Sequence, residues 1–518
     1  MGQKIESLND NLFSLAEQFR SLQNKLPDQC LELDDLGKQE LDILIVPSIS
    51  MSPRDTQKIL GIHHWEERLL PYLALLKYPN VRLIYVTSQP LHPALVDYYL
   101  HILPEITLLD TDVRKRLIPL STYDSSLISL SSKVLERPRL IQQISDVVKP
   151  EKSLMICYVS TPLERELSIR LQVPLYALDP DLEHWGTKSG SQKIFSECDV
   201  PHPDGSQVVW NTRDLAIAGA EVWSRNPNTK RMIIKLNEGI GGLCTGILDL
   251  EKIVELKKSS QVEKAEEIYK QLDSVTFQDK SEDWASLSNR IQEQGAIIQV
   301  YIEGNEKRSP SVQGVITPGG ETKIISTHEQ ILNGSDGLLF QGCAFPAEAA
   351  YRLKIQELGR KVGEKLAQKG VIGPFSVDFL AVGQPDENGN LTWHCQAVEI
   401  NIRRGGASHP FTLLNFLTNG YYDTTTGLLH SAKGLPKYYI TSEQIHEHSN
   451  YRGLLPDQLI EIISEHQLHF DPSTETGPVF HMMGALSEFG KLGITSIGNS
   501  HEEAKEHLDR VMKVLEAI

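Results

Sequence analysis

The 518-residue chain is poor in cysteine and has no CxxC pair. Its six cysteines, Cys30, Cys157, Cys198, Cys244, Cys343 and Cys395, are scattered, with only isolated Cys/His neighbours (Cys198 with His202, His394 with Cys395). That usage excludes a disulfide framework, argues against structural zinc, and predicts reduced thiols in a cytoplasmic protein. No stretch reaches the roughly 18 apolar residues of a membrane span, and the N-terminus has no apolar core of signal-peptide length, so neither insertion nor secretion is expected. The chain opens Met-Gly but carries Glu6 where a myristoylation signal has Ser or Thr. Positive charge is in deficit: 51 Lys+Arg against 68 Asp+Glu give a net charge of -17, which repels phosphate backbones and excludes nucleic acid as a natural partner. Cations for any anionic ligand must therefore be gathered locally. No GxGxxG follows a strand-like run, no GxxxxGK[ST] is present, and there is no internal repeat or low-complexity linker.

What is present is a chain long enough for two to four structural units, with an ordinary 40% hydrophobic and 23% charged composition. The first residues, 1–30, read as an amphipathic helix. The runs "LDILIVPSIS" and "VRLIYVTSQP" read as buried strands, "DTQKILGIHHWEERLLPYLALLKYP" between them as a helix, and "SLMICYVSTPLERELSIRL" as a further strand and helix. This alternation predicts an α/β layer with a parallel sheet from about 40 to 180. From about 185 the texture changes. "WGTKSGSQKIFSECDVPHP" reads as a helix with Lys188 and Lys193 near its start, and "MIIKL" and "GILDL" as strands joined by "NEGIGGLCT". The charged stretch "EKIVELKKSSQVEKAEEIYKQL" reads as a solvated helix. Strands resume at "AIIQVYI" and "PSVQGVI", followed by a long helix at "AEAAYRLKIQELGRKVGEKLAQKG". Then "FSVDFLAV" and "LTWHCQAVEIN" flank a turn-rich link as a hairpin, and an α+β tail closes the chain.

Chemistry concentrates at the end of that hairpin, in "AVEINIRRGG". Glu399 and Asn401 are two apart on a strand and leave the same face, and the partner strand brings Asp378 alongside. Two carboxylates and an amide make an oxygen-only donor set that suits Mg²⁺. The same pattern also fits a polar strand end on a half-solvated sheet. In "RMIIKLNEGIGGLCTG", Lys235 sits on a strand before a Gly-rich link into another strand. That order fits a hairpin flap whose N–H groups fold over phosphates, and equally a plain turn. In "IIQVYIEGNEKRS", the segment Gln299, Val300, Tyr301, Ile302 offers backbone groups to an adenine edge, with Glu306 beyond it as an acceptor for ribose hydroxyls; alone it is also just a strand and turn.

Taken together, lysine with Gly-rich hairpin, strand with an acid after its turn, then Asp and Glu-x-Asn on adjacent strands, this order resembles the ATP-grasp superfamily of carboxylate-amine ligases over roughly 188–415. It is similar in outline to D-alanine:D-alanine ligase and biotin carboxylase. The tail, with "HMMGALSEFGKLGITSIG", resembles the extra domain of pheganomycin-type peptide ligases. The resemblance implies a multidomain α/β and α+β chain. Residues 31–186 form a Rossmann-like pre-ATP-grasp domain, 187–430 a two-subdomain ATP-grasp fold, and 431–518 a small C-terminal α+β domain. It implies ATP and Mg²⁺, with Mn²⁺ able to substitute, and a carboxylate and an amine as substrates joined through an acyl phosphate. A homodimer is common in similar ligases. The alternative within the same fold is an inactive nucleotide-binding sensor or scaffold.

By the same resemblance, Lys188 and Lys235 hold the nucleotide phosphates under a flap at 238–246 that includes Glu238, Gly239, Gly241 and Gly242. Gln299 stands where relatives often carry Glu toward the adenine amino group, and its amide oxygen keeps the acceptor. Val300 and Ile302 match the hinge and adenine-wall positions, with Tyr301 packing nearby, and Glu306 matches the ribose acid. Asp378, Glu399 and Asn401 match the magnesium ligands, and Arg403 the arginine that faces the reacting acyl group. Substrate contacts are left to Arg308, Arg404, His328 and His409, each of which also fits a structural or surface role.

Overall fold

The computed structural model describes residues 14–26, 40–106, 111–238, 245–277, 282–333, 339–387, 389–445 and 451–517. The first part is the expected parallel sheet, built from β1 (Leu41–Val46), β2 (Val81–Thr87), β3 (Leu117–Ser121) and β4 (Ser153–Cys157) in the order β3-β2-β1-β4. Its strands are apolar on both faces because both are covered. Leu44 and Val46 pack with Leu130, Ile144 and Leu167 of the flanking helices, and with Phe19 and Leu22 of a helix over 14–23. Ile43 and Ile45 face the other way, toward Leu70, Leu73 and Leu76. The segment expected as one helix between β1 and β2 is a short turn of helix at Pro53–Thr56 and a 3-10 helix over Ile62–Lys77. Pro71 within it lacks the N–H that an α-helical ladder needs.

A second, antiparallel sheet follows, with β5 (Arg231–Leu236), β6 (Thr245–Asp249), β7 (Thr276–Phe277) and β8 (Ala296–Val300) in the order β7-β6-β5-β8. Along β5 the alternation is clean: Met232, Ile234 and Leu236 are buried with Leu215 and Trp223 of the helix Thr212–Arg225, which leaves Ile233 and Lys235 on the opposite face. The charged stretch divides into Glu251–Lys258 and Gln261–Gln271. Ser260 caps the second helix by accepting from Glu263 N–H.

The largest sheet contains β9 (Glu306–Arg308), β10 (Pro310–Ile316), β11 (Thr322–Asn333), β12 (Leu339–Phe345), β13 (Gly373–Pro385) and β14 (Leu391–Asn401). It continues into β15 (Tyr421–Asp423), β16 (Leu428–His430), β17 (Pro436–Ile445), β18 (Gly477–His481) and β19 (Leu492–Gly498). Its main order is β14-β13-β10-β11-β12-β17-β16-β15, with β19 on β17, β18 on β19, and β9 on β13. The helix Arg352–Gln368 covers one face, burying Ile355, Val362 and Leu366 with Val312, Phe375, Val377 and Ala397. The tail is therefore α+β as expected, but its strands extend this sheet. It also shares a core with the N-terminal layer: Tyr439, Ile494 and Ile497 pack in one cluster with Leu75 and Tyr99. Tyr98 and Tyr99 bond the backbone of Phe480. Among the described residues no helix is long and apolar enough to cross a membrane.

Candidate active site

The face of the large sheet away from the helix Arg352–Gln368 carries the polar residues. Ser376 pairs with Asn401, Val377 with Ile400 and Asp378 with Glu399, so Asp378, Glu399 and Asn401 project together while Val377 and Ile400 enter the core. A register shift after Asp378 puts one extra residue in β14, and Ala397 returns to the core opposite Phe379. The cluster then closes by hydrogen bonds. Asn401 Nδ2 donates to Asp378 Oδ2 at 3.1 Å, and Arg403 Nη2 donates to Asn401 Oδ1 at 3.0 Å. Lys188 Nζ donates to Glu399 Oε1 at 2.8 Å with only 8% of its side chain exposed.

Lys188 is placed by the start of its helix, Lys188–Glu197. Thr187 Oγ1 accepts from Gly190 N–H, Asn237 takes the Lys188 N–H on its carbonyl and the Ser189 N–H on its side-chain oxygen, and Ser191 Oγ accepts from Ile400 N–H at 3.0 Å. That last bond fixes the helix against β14 between Glu399 and Asn401. Gly190 is required for the fit, because a Cβ there would stand 2.0 Å from the His184 carbonyl oxygen. Lys235, from the second sheet, faces the same space and acts electrostatically on Glu399.

These charges shift one another. Burial, then the neighbouring Glu399, drives the Asp378 carboxyl well above the usual carboxylate range. Burial also raises Glu399, but Lys188, Lys235 and Arg403 outweigh it and hold that carboxyl low. Lys235 is pushed down to about 8, chiefly by burial. Yet both Asp378 oxygens accept hydrogen bonds, Oδ1 from Gln330 Nε2 at 3.0 Å, which is the pattern of the ionised group. A cation placed between the two carboxylates would relieve the repulsion by which Glu399 raises Asp378.

Gln299 lies on β8 opposite Ile233, on the Lys235 face; its Nε2 donates to Gln192 Oε1 at 3.3 Å while its own buried Oε1 has no partner. The N–H groups of Val300 and Tyr301 are taken by Asp204 O and Arg231 O. Ile302 is half-buried next to them. Tyr301 lies under Arg231 at 4.1 Å and Lys307 at 4.4 Å. Glu306 is exposed beside Gly383, with the Arg308 guanidinium 4.0 Å away. Glu238 is exposed at the turn after β5, and Gly239, Gly241 and Gly242 lie outside the described residues.

The four residues expected at the substrate are not gathered at the cluster in one way. Arg404 is buried, with Nε donating to the Cys157 carbonyl at 3.2 Å and its N–H to Tyr158 O, so it joins the end of β4 to the site. Arg308 pairs with Ala381, three residues from Asp378 on β13, and so leaves the opposite face of the sheet; Glu306, paired with Gly383, leaves that face too and is not gathered at the cluster. His328 is enclosed by Phe345, Phe411 and Tyr439, with a 2.6 Å bond to Tyr439 Oη, and His409 packs on His481 at 3.3 Å. Both histidines are core groups. Sequence reasoning missed Asn237, Ser191 and Gln330, whose side chains position Lys188, β14 and Asp378.

Comparison with known proteins agrees with this arrangement. The family described as "IQCH-like, ATP-grasp" matches residues 180–282 and 261–425, and "PGM1 C-terminal domain" matches 458–511. The chain is 27% identical to the "L-propargylglycine--L-glutamate ligase" of Streptantibioticus cattleyicolor over 470 residues, 89% of this chain and 91% of that one. It is 22% identical over 424 residues to the "IQ motif-containing protein H" of Danio rerio, covering 75% of this chain and 40% of that one. A solved biotin carboxylase domain dimer of the Hydrogenobacter thermophilus 2-oxoglutarate carboxylase, in complex with MgADP, shares the fold. It has TM-score 0.51 and 11% identity, with 92% of this chain and 89% of that one covered. With the lysines, the paired acids and the Glu-x-Asn-x-Arg strand end in one cluster, residues 180–425 match an ATP-grasp domain, and the chain as a whole is similar to an ATP-grasp ligase.

Proposed function

We propose that this chain joins the carboxylate of an amino acid, or an amino-acid-like acid, to the amine of an amino acid or peptide, using ATP and releasing ADP and phosphate. The observation that carries the reading is the meeting of Lys188, Lys235 and Arg403 with Asp378, Glu399 and Asn401. The relative named for joining L-propargylglycine to L-glutamate supports amino acids on both sides of the bond. In this reading residues 187–430 hold the nucleotide, behind the 31–186 layer.

Chemistry explains the residue set. A free carboxylate is a poor acyl donor because its leaving group is oxide. One substrate oxygen therefore attacks the γ-phosphorus of ATP, the β,γ-bridging bond breaks, and ADP leaves with that bonding pair. The amine then attacks the acyl carbon, phosphate departs, and the nitrogen loses a proton. Lys188 and Lys235 lower the repulsion between the substrate carboxylate and the triphosphate. Asp378, Glu399 and Asn401 fit Mg²⁺ by donor type, and the ion supplies positive charge at the β- and γ-phosphates. Asn401 Oδ1 accepts from Arg403; with that oxygen given to a cation, Arg403 would be left to donate to the oxyanion of the tetrahedral intermediate. Gln299 Oε1, unpartnered and buried, is suited to accept from the adenine amino group.

The test is a screen of paired acids and amines, scored by ADP release and product mass, with Glu399→Ala as control. Amide product with wild type, and folded but inactive Glu399→Ala, support the proposal. ATP binding without ADP formation over a broad amino-acid panel overturns it in favour of a nucleotide sensor.

A further inference from the structure

Away from the nucleotide cluster, the 3-10 segment Ile62–Lys77 meets the short helix Gly484–Phe489. There His63, His64 and Glu488 bring one ligand atom each to within 4.8 Å of one another, and the two imidazole rings are 4.2 Å apart. We propose that these residues bind one divalent transition-metal ion of the zinc class, joining two segments more than four hundred positions apart in the sequence.

Two imidazoles and a carboxylate form a borderline donor set that favours zinc over magnesium and leaves a fourth position for water. Zinc bonds of about 2.0–2.1 Å place tetrahedral ligand atoms roughly 3.4 Å apart. The remaining closure is small, and Glu488 is exposed and free to make it. The support around the site matches that of metal-bound histidines. His64 Nδ1 bonds Glu67 Oε1 at 3.1 Å, and a carboxylate on the second ring nitrogen fixes tautomer and ring orientation. Glu67 accepts from Gly484 N–H at 3.2 and 3.3 Å. Gly484 and Glu488 are four apart on one helix and share a face, so the group that orients His64 also sets the position of Glu488.

Zn²⁺ titrated calorimetrically into metal-free full-length protein, with Mg²⁺ in large excess to occupy the oxygen-only cluster, should bind in one equivalent and raise the melting midpoint. Glu488→Gln, an exposed change that leaves the fold intact, and His63→Gln should each weaken binding at least tenfold and abolish the midpoint shift. Co²⁺ in place of Zn²⁺ should give the visible bands of a nitrogen-ligated tetrahedral ion in wild type alone. Absence of Zn²⁺ binding, or equal affinity in wild type and both variants, overturns the site.

Discussion

Arg403 donates to the Asn401 oxygen and the Arg404 carbonyl, and in the proposed reaction its guanidinium leaves them to meet substrate. Arg403→Ala should leave the KM for ATP nearly unchanged and lower kcat about 10²- to 10³-fold, the 2.7–4 kcal/mol typical of losing one oxyanion donor, measured by ADP release. Gln299→Leu should instead act on binding. The adenine amino group loses its acceptor, and the KM for ATP rises about tenfold, near 1.4 kcal/mol, with kcat little altered. His328 reports on the fold, not the reaction. Burial pushes its ring down from 6.5 to about 3, so the unfolded chain takes up the proton first as pH falls. Its contribution to stability is complete above about pH 6.5 and is lost progressively toward pH 3. In His328→Gln, denaturation followed against pH should show an acid limb shallower by up to about 1.4 kcal/mol per pH unit.

At the scale of elements, the bond from Ile400 N–H to Ser191 Oγ decides where β14 delivers Glu399 relative to Lys188. Ser191→Ala leaves that buried N–H unmet. It should cost about 1–3 kcal/mol in denaturant unfolding and impair turnover, whereas Ser196→Ala on the exposed side of the helix should change neither. The strand alternation that aligns Glu399 with Asn401 is readable from ten residues, because a period of two is local. Gln330 is not readable that way. It reaches Asp378 only through the β10–β11 and β10–β13 ladders, the first with a register shift after Gln313, and such registers are set by distant packing. Asn237 is hidden for a similar reason: nothing in its neighbourhood announces that it will cap a helix beginning almost fifty positions earlier. His328 and Arg308 illustrate the converse. Their types suggested a pocket, but His328 is covered by Tyr439 from a strand over a hundred residues later, and Arg308 falls on the wrong side of its strand.

For the molecule as a whole, the change of texture near 185 marks where the parallel layer gives way to antiparallel sheets, and the strand-helix alternation before it is visible because each element is a contiguous apolar run. The union of the ends is not visible. Tyr98, Tyr99 and Phe480 meet across some 380 positions, and β17 completes the sheet beside β12. Truncation after residue 430 should therefore strip one edge of the large sheet and about a third of the shared core, and give aggregated protein in which near-ultraviolet circular dichroism shows no ordered aromatic packing. At Gly342, where a Cβ would come 2.0 Å from the Thr441 carbonyl oxygen, the two ladders are pressed together so closely that the residues on either side have to be inherited as a set. Chimeras that graft the last ninety residues from one relative onto another will need their crossover points drawn outside both strands, and homologous recombination in this lineage faces the same constraint.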